Sequence, residues 1–195
     1  MALVAIALTC GDGTRFTDSS GGCNSFAYTT VGTSANYRGP KFTIMYRLKR
    51  HSGTPTIPGA RVGMADVNGT ARRFWLEVDP DGVNFTIRGK LDTTACGAVT
   101  VFSFTKTQDA NEHSVAWSYD QAGIYRSYWD GVQQGTGASP CSDISNPAAA
   151  GDIFMIAGAT NFGGVEIFDI DRVMFTNDLV SSSQIATIDG NCSSF

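Results

Sequence analysis

Apolar residues recur at every second position along much of this chain, and a period of two marks a strand with one buried face. In Lys41 to Leu48, KFTIMYRL, the residues Phe42, Ile44, Tyr46 and Leu48 share a side. Phe74, Leu76 and Val78 line one side of ARRFWLEV, and Val83, Phe85 and Ile87 follow after the Asp-Pro-Asp-Gly run at 79 to 82, which predicts a hairpin turn there. Val115, Trp117 and Tyr119 alternate with Ser114, Ala116 and Ser118. Gly123 then opens a strand that closes at Tyr128-Trp-Asp-Gly131, where the Asp-Gly pair is a cue for a short hairpin. The opening MALVAIALT has no basic stretch, a short apolar part and no clear cleavage site, so it is read as the first strand and not as a secretion signal. From Gly135 to Gly151 the small and turn residues predict a long surface loop, before strand character resumes at Asp152 to Ile156. Ser181 to Thr187 predicts a single helical turn with a serine cap and Ile185 packed inward. With no internal repeat and no linker, residues 1–195 are expected to form one all-β domain, an antiparallel two-sheet jelly-roll sandwich of roughly a dozen strands.

Composition narrows the partners. Charged residues make up 16% of the chain and the net charge is −4, so no broad basic surface is implied and a nucleic-acid partner is not expected. No run reaches the roughly 18 apolar residues of a membrane helix. The five cysteines, Cys10, Cys23, Cys96, Cys141 and Cys192, are too widely spaced for a zinc site or a dithiol redox motif. Their odd number leaves at least one free thiol or an intermolecular bridge, a core this large does not need disulfides to fold, and two intrachain bridges are compatible with the count. Sequons at Asn68, Asn84 and Asn191 matter only if the chain enters a eukaryotic secretory pathway.

Two segments resemble the laminin G-like modules of the concanavalin A-like lectin and glucanase superfamily. Glu112-His-Ser-Val-Ala-Trp-Ser-Tyr-Asp120 with Tyr128-Trp-Asp-Gly-Val132 looks like that family's W-H-H-V-A-V-T-Y-D and L-Y-V-D-G-V strand pair. Ile170-Asp-Arg-Val-Met-Phe-Thr-Asn177, leading to Val180 through Ile185, is similar to its late strand and turn. Arg172, Met174 and Phe168 depart from the usual residues of that strand. The resemblance implies a concanavalin A-like jelly roll over the whole chain, and modules that mostly bind glycans or proteins or serve in structure. Fold alone does not choose among these roles.

Candidate chemistry is sparse. Glu166, Asp169 and Asp171 lie in the apolar run FGGVEIFDIDRVMF. In an unbroken strand Asp169 and Asp171 share a face, at a spacing that approaches the about 5 to 5.5 Å of a retaining glycosidase pair, whereas Glu166 points the other way unless a bulge restores it. The structural reading of these acids is preferred, because Asp171 already belongs to the module signature. His51 and His113 have no partners at triad or metal spacing, and hydrolase elbow, NTPase loop and zinc-protease motifs are missing. Trp75 opposes Phe74 and Leu76, and Trp129 opposes Tyr128, so each is a candidate platform for stacking on a sugar ring. Calcium is the cofactor the resemblance allows, with Asp79-Pro-Asp81 and Asp66-Val-Asn68 as oxygen-bearing turns, although solvated carboxylates are the simpler reading and no metal ligand set is assigned.

The expected function is a non-catalytic binding or structural module on a larger assembly, most specifically a virion decoration protein, with a protein partner such as a capsid and with homo-oligomers. The alternatives are a secreted lectin module that binds surface glycans and, third, a glycoside hydrolase or lyase. The expected location is a virion surface or the extracellular space.

Overall fold

The computed structural model describes residues 14–16, 27–30, 41–50, 60–65, 72–93, 96–120, 122–141, 153–156, 168–176 and 178–190. Among these residues lie twelve strands and one helix. Sheet A has the order β1 (Thr14–Phe16), β12 (Phe168–Thr176), β3 (Phe42–Arg50), β8 (Glu112–Tyr119), β9 (Ile124–Trp129) and β10 (Val132–Ala138). Sheet B has the order β2 (Ala27–Thr30), β11 (Ile153–Ile156), β4 (Ala60–Ala65), β5 (Arg72–Asp81), β6 (Asn84–Thr93) and β7 (Gly97–Thr107). Every ladder within them is antiparallel. The chain passes between the sheets several times, as a jelly roll requires.

The alternating apolar positions do what their period demands. Phe42, Ile44, Tyr46 and Leu48 of sheet A meet Phe74, Leu76, Val78 and Ile87 of sheet B in one core. Phe42 stacks on Phe74 at 4.4 Å, so aromatic contact bridges the sheets directly. Each such side chain taken from water contributes about 1.5–3 kcal/mol. Cys96 and Cys141 are joined by a disulfide across a sequence separation of 45 residues, and the Cys141 carbonyl accepts from the Tyr119 hydroxyl at 2.6 Å. The other three cysteines lie outside the described residues.

Turns show where local chemistry departs from the simplest reading. At Asp130-Gly131 both φ angles are positive, 49° and 71°, which builds the tight hairpin its sequence predicts. The β5–β6 hairpin instead turns two residues later than expected. Its strands stay paired through Pro80 opposite Phe85 and Asp81 opposite Asn84, leaving Gly82 and Val83 as the loop. Gly82 takes a positive φ of 59°, and Val83 is exposed at the tip where alternation had placed it in line with Phe85. Residues 132–138, assigned in part to a loop, form β10, paired antiparallel with β9 so that Gly135 lies opposite Ser127 and Gly137 opposite Tyr125. Both the opening MALVAIALT and residues 142–152 fall outside the described residues.

The expected helical turn is a longer helix, α1 (Ser182–Gly190), with Ile185 buried as anticipated. Ser181 Oγ accepts from the Gln184 N–H at 3.3 Å while Gln184 Oε1 accepts from the Ser181 N–H at 2.9 Å. This reciprocal capping box stabilises a start that a lone serine would hold less well. Upstream, the buried Thr43 hydroxyl donates to the Asp178 carbonyl at 2.8 Å and accepts from the Val180 N–H at 3.1 Å. These two bonds fasten the approach to the helix onto β3.

Candidate functional site

The inward set Phe74, Leu76 and Val78 forces Trp75, Glu77 and Asp79 onto the outer face of sheet B. Across the hairpin Trp75 lies opposite Lys90, Glu77 opposite Arg88, and Asp79 opposite Thr86. On the next strand Thr100 faces Lys90, Ser103 faces Arg88, and Thr105 faces Thr86. Those three β7 hydroxyl residues are exposed. The face is therefore a charged inner lane beside an open hydroxyl lane.

Glu77 is the centre of the charged lane, with a side chain only 1% exposed. Its Oε2 accepts from the Trp75 indole N–H at 2.9 Å. Its Oε1 accepts from Lys90 Nζ at 3.0 Å and from Arg88 Nη1 at 3.3 Å. Arg88 Nη1 also binds Asp79 Oδ2. An ionised carboxylate this deep survives only when cations and donors surround it, which is the arrangement present. Lys90 Nζ lies 5.8 Å from the centre of the Trp75 ring, within cation–π range. Opposite Trp75 is Gly63, where an added Cβ would come within 2.6 Å of the tryptophan backbone and Cβ. Arg88 and Lys90 keep 31% and 28% of their side chains exposed, so the two cations held by Glu77 remain partly open to solvent.

Trp75 belongs to this lane but is 2% exposed, so it braces Glu77 and offers no free ring face. Trp129 is 7% exposed and points inward, while its neighbour Tyr128 turns outward beneath α1, its hydroxyl 3.2 Å from Ser182 Oγ. The stacking platforms expected from the sequence are thus both buried. Asp169 and Asp171 sit on β12 of sheet A, away from the Glu77 lane. In register Asp169 pairs with Arg15 on one side and Lys49 on the other. Ile170 pairs with Leu48 and Arg172 with Arg47, which leaves Asp171 as the extra residue of a bulge. The simple alternation that put Asp169 and Asp171 on one face is interrupted at Asp171 itself. Glu166 lies outside the described residues, as does Asp66-Val-Asn68. Asp79, from the other oxygen-bearing turn, is engaged by Arg88. Among the described residues no group of three or more His, Cys, Asp or Glu side chains is placed to hold a metal.

Sequence reading passed over Glu77, Arg88 and Lys90. Their signal was present as opposite charges at matching distances from the β5–β6 turn, but pairing them requires the turn to be centred on Gly82 and Val83. A second cluster, also unanticipated, lies at one end of the sandwich. His113 Nδ1 is 2.8 Å from Asp130 Oδ2 and its Nε2 is 2.9 Å from Asp109 Oδ1. The ring stacks on Trp129 at 4.5 Å.

The class of fold follows from this architecture: it is an antiparallel two-sheet jelly-roll sandwich with a concanavalin A-like fold. By sequence, no family model matches the chain and no curated protein matches it. By structure, it is similar to a native heptameric SAP-like pentraxin from Limulus polyphemus, with 12% identity, a TM-score of 0.63, and 90% of this chain and 80% of that one covered. It is also similar to the CBM40 of a Ruminococcus gnavus IT-sialidase bound to α2,3-sialyllactose, with 13% identity, a TM-score of 0.60, and 91% and 96% covered. A third likeness is to the binding domain of botulinum neurotoxin serotype D/C, with 11% identity and a TM-score of 0.63; 95% of this chain aligns with 44% of that one, so it spans less than half the toxin domain.

Proposed function

We propose that this chain is a non-catalytic carbohydrate-binding module that reads a hydroxyl-rich glycan with the outer face of β5, β6 and β7. Sugars present closely spaced O–H donors and acceptors, and sites that select them use a few polar groups fixed in orientation. The observation that carries the reading is the Glu77-held pair Arg88 and Lys90 beside the exposed hydroxyls of Thr100, Ser103 and Thr105. Cations already oriented by a buried carboxylate lose less freedom on binding than free surface side chains. Support also comes from the likeness in fold to the CBM40 described as bound to sialyllactose. The kinship to laminin G-like modules is part of this proposal, carried by His113, Asp130, Gly131 and the β12 segment.

The test is a screen of plant, bacterial and animal glycans, with calcium and with chelator, followed by titration of the strongest ligand. Arg88→Ala is expected to weaken binding by about tenfold or more, the equivalent of one charge-assisted hydrogen bond. Silence across all three glycan classes, or unchanged affinity in folded Arg88→Ala and Lys90→Ala proteins, would overturn the reading. Display on a virion is the setting we attach to the proposal, and its test is separate. Protein found on purified particles supports that setting, and protein absent from them removes it.

A further inference from the structure

We propose that His113 is a pH-dependent latch, tying the β7–β8 loop to the β9–β10 turn when protonated and releasing residues 109–111 when neutral. Both of its ring nitrogens face carboxylate oxygens, Asp130 at 2.8 Å and Asp109 at 2.9 Å. An ionised carboxylate only accepts, so both contacts are hydrogen bonds only if both nitrogens carry protons. A neutral imidazole has one N–H, and its other nitrogen would turn a lone pair toward an anion. The side chain is 13% exposed, between the Trp129 face and the edge of Phe85. Rotation away from either acid is therefore restricted.

Burial works against the charged ring, but the bonds to Asp130 and Asp109 and the charges of those acids outweigh it, holding His113 above the usual histidine range. Asp109 is held below the usual carboxylate range by the His113 bond and by the Asn111 N–H. Other charged groups nearby are committed elsewhere. Glu112, the preceding residue, pairs with Arg47 at 2.8 Å. Arg50 is bound to Gln108. Asp189 of α1 lies beside Gly131, on the turn that carries Asp130.

The geometry also says which side lets go. Asp130 keeps two bonds to β8 whatever the histidine does: its Oδ1 accepts from the Ser114 N–H at 2.9 Å and its own N–H donates to the Ser114 carbonyl at 3.0 Å. Gln108 is retained by its N–H to the Val83 carbonyl at 2.9 Å and its Nε2 to the Asn84 carbonyl at 2.6 Å. Asp109, Ala110 and Asn111 are left depending on the Nε2 bond, since the Asn111 N–H shares the same Asp109 oxygen at 2.7 Å. A raised histidine pKa stabilises the latched state fully below about 6.5, and that stabilisation is lost as pH rises through the folded value. The lowered carboxyl of Asp109 contributes above about pH 3.9 and is lost as pH falls through its folded value. The latch is thus tightest in mildly acid solution.

Amide hydrogen exchange at pH 5.5 and 8.5, corrected for intrinsic rates, tests this together with an NMR titration of the His113 ring. In the native sequence, protection at residues 109–112 should fall at the higher pH, by about tenfold for each pKa unit that the two acids add, while the 130–131 turn stays protected. In His113→Gln the pH step should vanish. Asp109→Asn alters an exposed side chain, so it should fold, lower the His113 pKa and remove the step. Equal loop protection at both pH values in the native protein, or a His113 titration unmoved by Asp109→Asn, would overturn the latch.

Discussion

The two sheets share one core, but their outer faces are put to different uses. On sheet A the outward residues Met45, Ala116, Tyr128 and Met174 are apolar, and α1 closes over them with Ile185, flanked by Val180 and Ile188. On sheet B the outward residues are Trp75, Glu77, Asp79, Arg88 and Lys90, bordered by the β7 hydroxyls. Strand alternation alone produces both inner faces and is silent on the outer ones. An apolar outer face has to be covered, and here the chain covers it with its own C-terminal helix. A polar face whose charges satisfy one another can stay open, which is why the proposed binding role falls to sheet B.

Removing the centre of the polar face should have the largest effect. Glu77→Ala leaves Arg88 and Lys90 without their shared carboxylate and the Trp75 N–H without its acceptor. It should cost about 3–5 kcal/mol in chemical denaturation; a loss under about 1 kcal/mol would mean the network is surface decoration. On the apolar face, where Ile185 packs against Met45, Ala116, Tyr128 and Met174, Ile185→Ala should cost about 2–4 kcal/mol in the same denaturation experiment. Stability unchanged by this substitution would show that α1 does not close sheet A. The smallest effect is expected at the helix start, where Ser181→Ala removes one half of the capping box and should cost about 1 kcal/mol. Glycan binding should persist in the Ser181 variant, since α1 serves the other sheet.

Much of this fold was legible in the sequence. Phe42 to Leu48, Phe74 to Val78 and Val115 to Tyr119 face inward as their period requires, and Asp130-Gly131 turns as a hairpin. Less legible were features decided by one residue of register. The β5–β6 turn lies past Pro80, where Gly82 takes the positive φ without steric cost. The bulge at Asp171 interrupted a parity argument that assumed an unbroken strand. Facing was read correctly for Trp75, but exposure was not, because an indole N–H beside a buried Glu77 gains more from that bond than from solvent. Trp129 followed the inward alternation of β9, with His113 stacked against it. Nor did spacing alone select Cys96 and Cys141 as partners, since their meeting depends on how β7 and the segment after β10 approach the same end of the core.

The claim that the open face of sheet B is the binding face is tested most directly by mapping backbone amide shifts during titration with the strongest glycan from the screen. Shifts should concentrate at Trp75 to Asp79, Thr86 to Lys90 and Thr100 to Thr105, with α1 and β10 unmoved. Shifts confined to α1, β10 or the 109–111 loop, with β5 to β7 silent, would contradict it.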